Sequence, residues 1–309
     1  MSSSSIIVPA ITRSSHQRFL PLIHRLVRQG GPGLKDYPEL DFWLVDLHQA
    51  MERGEVGKDE KGAIHDAFGK ALSTDTMQGF ALAKPHGYAG DFEIIDRIYQ
   101  GRMSGDPELV AWDRYYHQHA APKAVRNRKL VLHRLLDELS ARKPNARVLK
   151  IAVGPGRSMY EWLVANPESR ISFECLEIDP AAIDYAERLN RPFLDRVHIR
   201  QGNALRIRPK ARYDLVWVAG LFDYFNDRTF VRMIRRLMPA VGEKGQLVIG
   251  NFSNSNPSRA YMELLGDWHL HHRSEDRLQT LAKEAGVEDD FYVVNGEPEK
   301  VNLFLRLSR

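Results

Sequence analysis

Cysteine is almost missing from this 309-residue sequence, where Cys175 stands alone. One thiol cannot build an internal disulfide framework or a Cys-based zinc site, so the chemistry must come from other residue types, and a reducing compartment, the cytoplasm, is the expected location. Long apolar runs are missing as well. No stretch approaches the ~18–20 apolar residues that a membrane helix needs. The Ser-rich start, Met1 to Thr12, carries only the short run Ile6 to Pro9 with Ala10 and no basic residue ahead of it, so neither a signal peptide nor a membrane anchor is expected there. An excess of one charge is also absent, since 44 Lys and Arg against 40 Asp and Glu leave a formal net charge of only +4. Basic clusters such as Arg126, Arg128 and Lys129, or Arg232, Arg235 and Arg236, fall on helical patterns where a solvated face accounts for them, and nucleic acid is not implied. What is present, 43% hydrophobic residues in a chain of this length, suits a folded protein of one or two domains.

Strand patterns are scarce in the first half. Residues 1–142 read as helix after helix, with apolar residues three and four apart, as in Phe19, Leu20, Ile23, Leu26 and Val27. Turns fall at Gly30-Gly31-Pro32-Gly33, Lys84-Pro85-His86-Gly87 and Ser104-Gly105-Asp106-Pro107. A last helix is predicted from near Ala124 to Ser140, closed by Lys143-Pro144-Asn145. From Arg147 the texture changes to short Val/Ile/Leu/Phe runs alternating with helical patterns, which predicts strands at 147–153, 171–178, 196–200, 213–219, 246–251, 290–295 and 301–307. Helices are predicted between them near 157–165, 180–190, 228–240, 257–264 and 274–285. The short turn Gly296 to Glu299 predicts a final hairpin, so the last strand should lie antiparallel at or near the sheet edge. The expected architecture is α/β, a Rossmann-like seven-stranded sheet over 143–309, preceded by an α-helical domain over 1–142.

The run Val148 to Ser158 is an apolar strand that enters the glycine turn Gly154-Pro155-Gly156 and opens a helix. Glycine lets the backbone approach a ligand closely, and the helix start offers free N–H groups. Such a turn alone is equally a plain strand-to-helix connection. Glu177, twenty-one residues after Gly156 at the end of the run Ile171 to Ile178, improves the case, because an acid there can accept from both hydroxyls of an adenosine ribose. Asp179-Pro180 should cap the next helix. Met159 occupies the third position of the dinucleotide fingerprint, where a pyrophosphate turn wants Gly or Ala, and this argues against a nicotinamide.

Val153-Gly154-Pro155-Gly156, Glu177, Gly202-Asn203-Ala204 and Tyr213 to Trp217 resemble, in order and spacing, the class I S-adenosylmethionine (SAM)-dependent methyltransferases, over about half the chain. The resemblance implies SAM as cofactor. It would place Gly154, Pro155 and Gly156 at the donor's methionine end, Glu177 with Ile178 at the ribose, Asn203 and Ala204 at the adenine, and Ala219 and Gly220 beside the fourth strand. Lys84 to Phe92, Ala124 to Arg128, Ala219 to Tyr224 and Asn251-Phe252 with Ser255 to Arg259 are similar to a narrower bacterial group, that of the 3-hydroxypalmitic acid methyl ester biosynthesis protein. The segment Asp267 to Arg273, with His271-His272 where Ile-Tyr is expected, departs from that group.

Methyl transfer needs the acceptor held in line at ~3–3.5 Å and water excluded. No metal is required, and His269, His271 and His272 are read as pocket or surface groups. A carboxylate is already anionic at neutral pH and needs only an anchor. The predicted anchors are Tyr88, Tyr116, Tyr224, Arg259 and Arg273, the last three beyond the carboxyl ends of strands four and five. The expected activity is methylation of a small-molecule acceptor, a carboxylate first and an amine, imidazole or hydroxyl second, with the helical half as a lid. An RNA methyltransferase and a non-catalytic SAM-binding module, with Arg126 and Arg128 serving a partner, are the alternatives, and homo-oligomer formation is left open.

Overall fold

Alternating strands and helices build one seven-stranded sheet in the computed structural model, which describes residues 15–209 and 211–309. The serine-rich Met1–Thr12 stretch lies outside the described residues. The strands are β1 Arg147–Ile151, β2 Ser172–Glu177, β3 Val197–Gln201, β4 Tyr213–Ala219, β5 Val241–Phe252, β6 Tyr292–Gly296 and β7 Asn302–Ser308. Their order is β3-β2-β1-β4-β5-β7-β6. The first five pair parallel, and β7 runs antiparallel between β5 and β6, leaving β6 at the edge. This is the expected Rossmann-like methyltransferase topology.

Among the described residues the first half is helical: α1 Leu20–Arg28, α2 Tyr37–Glu52, α3 Lys58–Phe68, α4 Met77–Ala83, α5 Phe92–Gln100, α6 Val110–Gln118 and α7 Ala120–Arg142. The sheet half contributes α8 Arg157–Ala165, α9 Pro180–Leu189, α10 Asp227–Leu237, α11 Arg259–Leu265 and α12 Glu275–Glu284. Local chemistry sets several starts. Asp91 caps α5 by accepting from the Glu93 and Ile94 N–H groups, both at 2.9 Å. Asp179 caps α9 from the Ala181 N–H at 2.9 Å, with Pro180 in the first position. β5 begins five residues earlier than predicted. The ladder shifts register between Tyr213 and Leu215, absorbing Gly242 to Gly245 in a bulge.

Three apolar clusters hold these layers. The helical half has its own, which α11 and Phe252, Trp268 and Val301 from the sheet half complete. The sheet has one on each face. Helix α7 belongs to two of them. Ala121, Ala124 and Val125 pack into the helical core, while Leu132, Leu135, Leu136 and Leu139 pack beneath the sheet with Val148, Trp162 and Phe173.

A chain beginning at residue 143 loses those four leucines, each contributing about 1.5–3 kcal/mol of burial. Their sum is comparable with the whole stability of a domain, about 5–15 kcal/mol. Residues 143–309 alone are therefore expected to show no cooperative melting transition by circular dichroism, and a sharp transition would show α7 to be dispensable to the sheet.

Candidate active site

The carboxyl ends of β1, β2, β4 and β5 open into one cavity of about 560 Å³, roofed by the loop before α5, by α5 itself and by residues 267–270. Its floor holds Gly154, Pro155, Gly156, Glu177, Ile178, Ala219 and Gly220. Two departures from ordinary backbone shape this floor. Gly156 has φ +71°, and a Cβ there would meet the Asn190 side chain at 2.7 Å. Ala152, at the entry of the turn, has φ +54°, unusual for a residue with a side chain. Glu177 fastens the floor: its Oε2 accepts from the Gly154 N–H at 2.9 Å, and its Oε1 from the Ile178 N–H at 2.8 Å. Met159 is fully buried, its sulfur 3.4 Å from that of Cys175, and fills the space that a close helix–strand approach would need. Asn203 and Ala204 follow β3 at the same end of the sheet but outside the cavity wall. There the Asn203 side chain caps a short turn by accepting from the Leu205 N–H at 2.8 Å.

The roof is tied down on two sides. The Tyr88 hydroxyl donates to Asp179 Oδ2 at 2.9 Å, and Lys84 pairs with Asp267 at the mouth. The Tyr224 hydroxyl donates to the Ala89 carbonyl at 2.8 Å and accepts from Trp268 Nε1 at 2.9 Å. Gly90 makes this crossing possible, because a Cβ there would lie 2.4 Å from the Trp268 ring. Partial desolvation at the roof, with acids nearby, pushes both tyrosines above the ordinary phenol range, so both stay protonated at neutral pH. Phe92, Ile95, Tyr99, Phe252 and Trp268 supply apolar walls that sequence reasoning missed.

Three of the expected anchors do not reach the cavity. Tyr116 is buried in the helical core, where it borders a separate small apolar cavity with Gln78 and Tyr261. Arg259 is exposed and pairs with Glu263 one helical turn on, Nε to Oε1 at 2.7 Å. Arg273 is 4% exposed and wholly occupied. It bonds Asp227 Oδ1 at 2.9 Å, Asn251 Oδ1 at 2.8 Å and the Phe225 carbonyl, and its guanidinium covers the Phe230 ring at 4.7 Å. Both arginines follow β5 in the chain, but neither lines the cavity. Nor do Arg126 and Arg128 present a basic surface, since Arg126 is half-buried against the His117 carbonyl and ring.

Three cations line the cavity, Lys84, Arg157 and Arg128, and of these Arg128 is the one set apart. It is 7% exposed, its Nε is 3.4 Å from the Tyr99 hydroxyl, and its Nη1 lies 3.0 Å from where a Cβ on Gly220 would stand. Among the described residues no carboxylate pairs with it, whereas Arg157 is held by Asp96. A signal existed in the sequence: Arg128 stands three residues after Val125 and four before Leu132, on the apolar stripe of its helix. Beside it, Asp223 is buried and accepts from the Phe252 N–H at 2.6 Å. Burial pushes its carboxyl up to about 6 despite Arg128 and Arg273 nearby. Among the described residues no group of His, Cys, Asp and Glu is arranged to hold a metal ion.

Comparison with known proteins places this geometry. Residues 148–245 match the profile of a family described as a methyltransferase domain. No curated protein matches the sequence. Among solved structures, a possible exported protein from Bordetella parapertussis is 17% identical, with 96% of this chain and 99% of that one covered at a TM-score of 0.64. A candidate O-methyltransferase from Nostoc punctiforme is 14% identical over 78% of this chain and 71% of its own, at 0.51. The SAM-dependent methyltransferase SibL in its apo form is 16% identical over 82% and 78%, at 0.50. At these identities the likeness is one of fold, and the first of them extends it through the helical half.

The two expected clamp arginines should separate by stability. Arg273→Met leaves buried acceptors without a partner and is expected to cost about 3–5 kcal/mol in denaturant unfolding. Arg259→Met removes one exposed pair and should cost about 0.3–0.5 kcal/mol. Equal, small losses would contradict the structural role of Arg273.

Proposed function

We propose that this SAM-dependent methyltransferase methylates the carboxylate of a small apolar or amphipathic acid and releases a methyl ester, with Arg128 as the anchor. The observation that carries the reading is a buried guanidinium facing an aromatic-walled cavity with no carboxylate among the described residues paired to it. An arginine in that state gains most from a planar bidentate anion. The acid class is the one the resemblance to the 3-hydroxypalmitic acid methyl ester group suggests. A cytoplasmic site of action belongs to the same proposal, supported by the lone, unpaired thiol of Cys175.

The floor fits the donor. Gly154 leaves open space on the cavity side where a Cβ would stand, and the acidic Glu177 and exposed apolar Ile178 flank it. In this reading Gly154 to Gly156 take the amino-acid end, Glu177 and Ile178 the ribose, Asn203 and Ala204 the adenine edge, and Ala219 and Gly220 the wall beside the reacting carbon. SAM, when bound, supplies a methyl group on a sulfonium. The protein's task is to orient and to dry. Arg128 turns a carboxylate oxygen toward the donor, and the aromatic walls fix the rest of the acceptor. Tyr88 and Tyr224, neutral and hydrogen-bonded to opposite sides, keep residues 1–142 closed as a lid over 143–309 and exclude water. A carboxylate is ionised at neutral pH, so no base is needed. A second reading, N- or O-methylation of an amine, imidazole or hydroxyl, draws on Asp223. Its carboxyl, raised to about 6, is suited to removing a proton near neutrality.

Incubating a cell extract with the enzyme and methyl-labelled SAM should yield a labelled product that releases methanol in mild alkali. An alkali-stable label would decide for the second reading. Arg128→Met should lower kcat/KM for that acceptor by about 1.5–3 kcal/mol while S-adenosylhomocysteine affinity holds. Loss of that affinity instead would assign the guanidinium to the donor's own carboxylate and remove the main support for an acidic acceptor.

Glu177→Ala is expected to weaken S-adenosylhomocysteine binding by about 1–3 kcal/mol in a calorimetric titration, since it removes the ribose acceptor and unpins the Gly154 N–H. Unchanged affinity would remove the end of β2 from the donor site.

A further inference from the structure

Lys150 is the least expected residue of the sheet. It is the last but one residue of β1, in a strand paired on both sides, with Cys175 of β2 and Trp217 of β4 as its register partners. Val148, Leu149 and Ile151 around it are apolar and buried, and Lys150 is itself only 6% exposed. Its Nζ donates to the Val153 carbonyl at 3.0 Å, and among the described residues it has no carboxylate partner. The charged and titratable groups facing it are Arg128 from α7 and Cys175 and Glu177 from β2. Burial, only partly offset by Glu177 and Cys175 and reinforced by Arg128, pushes the ammonium down to about 8. Such a group is costly where it stands, because an ammonium without a counter-charge loses its hydration and gains one hydrogen bond.

A second costly feature lies two residues on. Ala152 holds a left-handed φ of +54°, which a side-chain-bearing residue adopts only when its surroundings insist. Ala152 lines the cavity. Its N–H is bonded to the Leu176 carbonyl at 2.9 Å on one side, and the next carbonyl, that of Val153, is bonded to Lys150 on the other. The strained residue and the buried cation thus brace the same short segment, the one that becomes the floor of the cavity at Gly154.

We propose that Lys150 is a positioning residue for the methyl donor: from behind the sheet its ammonium holds the Val153 carbonyl, and through it keeps Ala152 to Gly156 in the shape that receives the donor's amino-acid end. This rests on the glycine turn being the donor site. A strut serving the sheet alone would be better made by methionine, which fills the same volume without burying a charge. The lysine is therefore retained for what it does to the turn.

Calorimetric titration of S-adenosylhomocysteine into the wild-type protein and Lys150→Met between pH 7 and 9.5, with thermal melting of both, tests this. Lys150→Met should bind at least tenfold more weakly at pH 7 while its melting temperature holds or rises, since an unpaired buried charge has gone. Wild-type affinity should fall as pH rises through about 8, where the ammonium is lost, more steeply than that of the variant. The ligand's own amino group titrates identically against both proteins, so the difference between the profiles belongs to Lys150. Lys150→Gln is the second variant, with the same expectation. Wild-type affinity in either variant, or failure of both to fold, would overturn the proposal, the latter by making the lysine a strut of the sheet. Absence of binding to the wild-type protein would instead remove the donor site itself.

Discussion

Everything in this molecule turns on one helix that must satisfy two cores. The first turns of α7 are small and apolar and sit among the helices of the first half, whereas its last turns are leucines that close the underside of the sheet. A helix is stiff over this length, so anchoring both ends fixes the helical half above the carboxyl ends of β1 and β4. A seam between two cores is where packing runs out. The cavity lies at that seam, and Arg128, midway between Val125 and Leu132, points into it. Position and charge therefore come from the same helix, and any acceptor gripped there is held relative to the sheet with the rigidity of two hydrophobic cores.

The sheet half was legible because its signals are local. Strand runs, Asp179-Pro180 and the glycine turn each depend on a few neighbouring residues, and the seven strands lie where the pattern put them apart from the early start of β5. Hidden there was a bulge, at Gly242 to Gly245, that interrupts the ladder with β4. Walls of the cavity were less legible for a different reason. Phe92, Tyr99 and Trp268 are ordinary helix and loop aromatics in sequence, and only the crossing of α5 over the sheet turns them inward. Arginines illustrate the limit most clearly. Chain position beyond strand five suggested Arg259 and Arg273, but a residue's place along the chain does not tell which way its helix or loop faces. Arg128 carried the better signal, a charge on an apolar stripe, which is informative because burying a guanidinium without purpose is expensive.

The roof shows how polar groups can close a site without becoming reactive. Tyr88 and Tyr224 both spend their hydroxyls on partners across the seam, one reaching the start of α9 and the other the backbone before α5. Each bond is individually modest, about 0.5–1.5 kcal/mol. They add to the buried pair of Asp96 with Arg157, which ties α5 of the roof to the start of α8. Gly90 makes the closest approach possible, so the tightness of the roof depends on a residue with no side chain at all.

Buried charges in the two halves divide by what answers them. Arg273 meets a carboxylate, a side-chain amide, backbone carbonyls and an aromatic face, and is explained by the loops it joins. Asp96 is likewise answered by Arg157 and Tyr185. Arg128, Lys150 and Asp223 are answered incompletely, and all three cluster where β1 and β4 end. Structural charges in a folded core are saturated by their own chain, because each missing partner costs stability and yields nothing. Three charges without an ion-pair partner in one region are what the proposed donor and acceptor would answer. On the proposed reading, the floor of the cavity is the part of the fold whose stability should rise most when donor and acceptor bind.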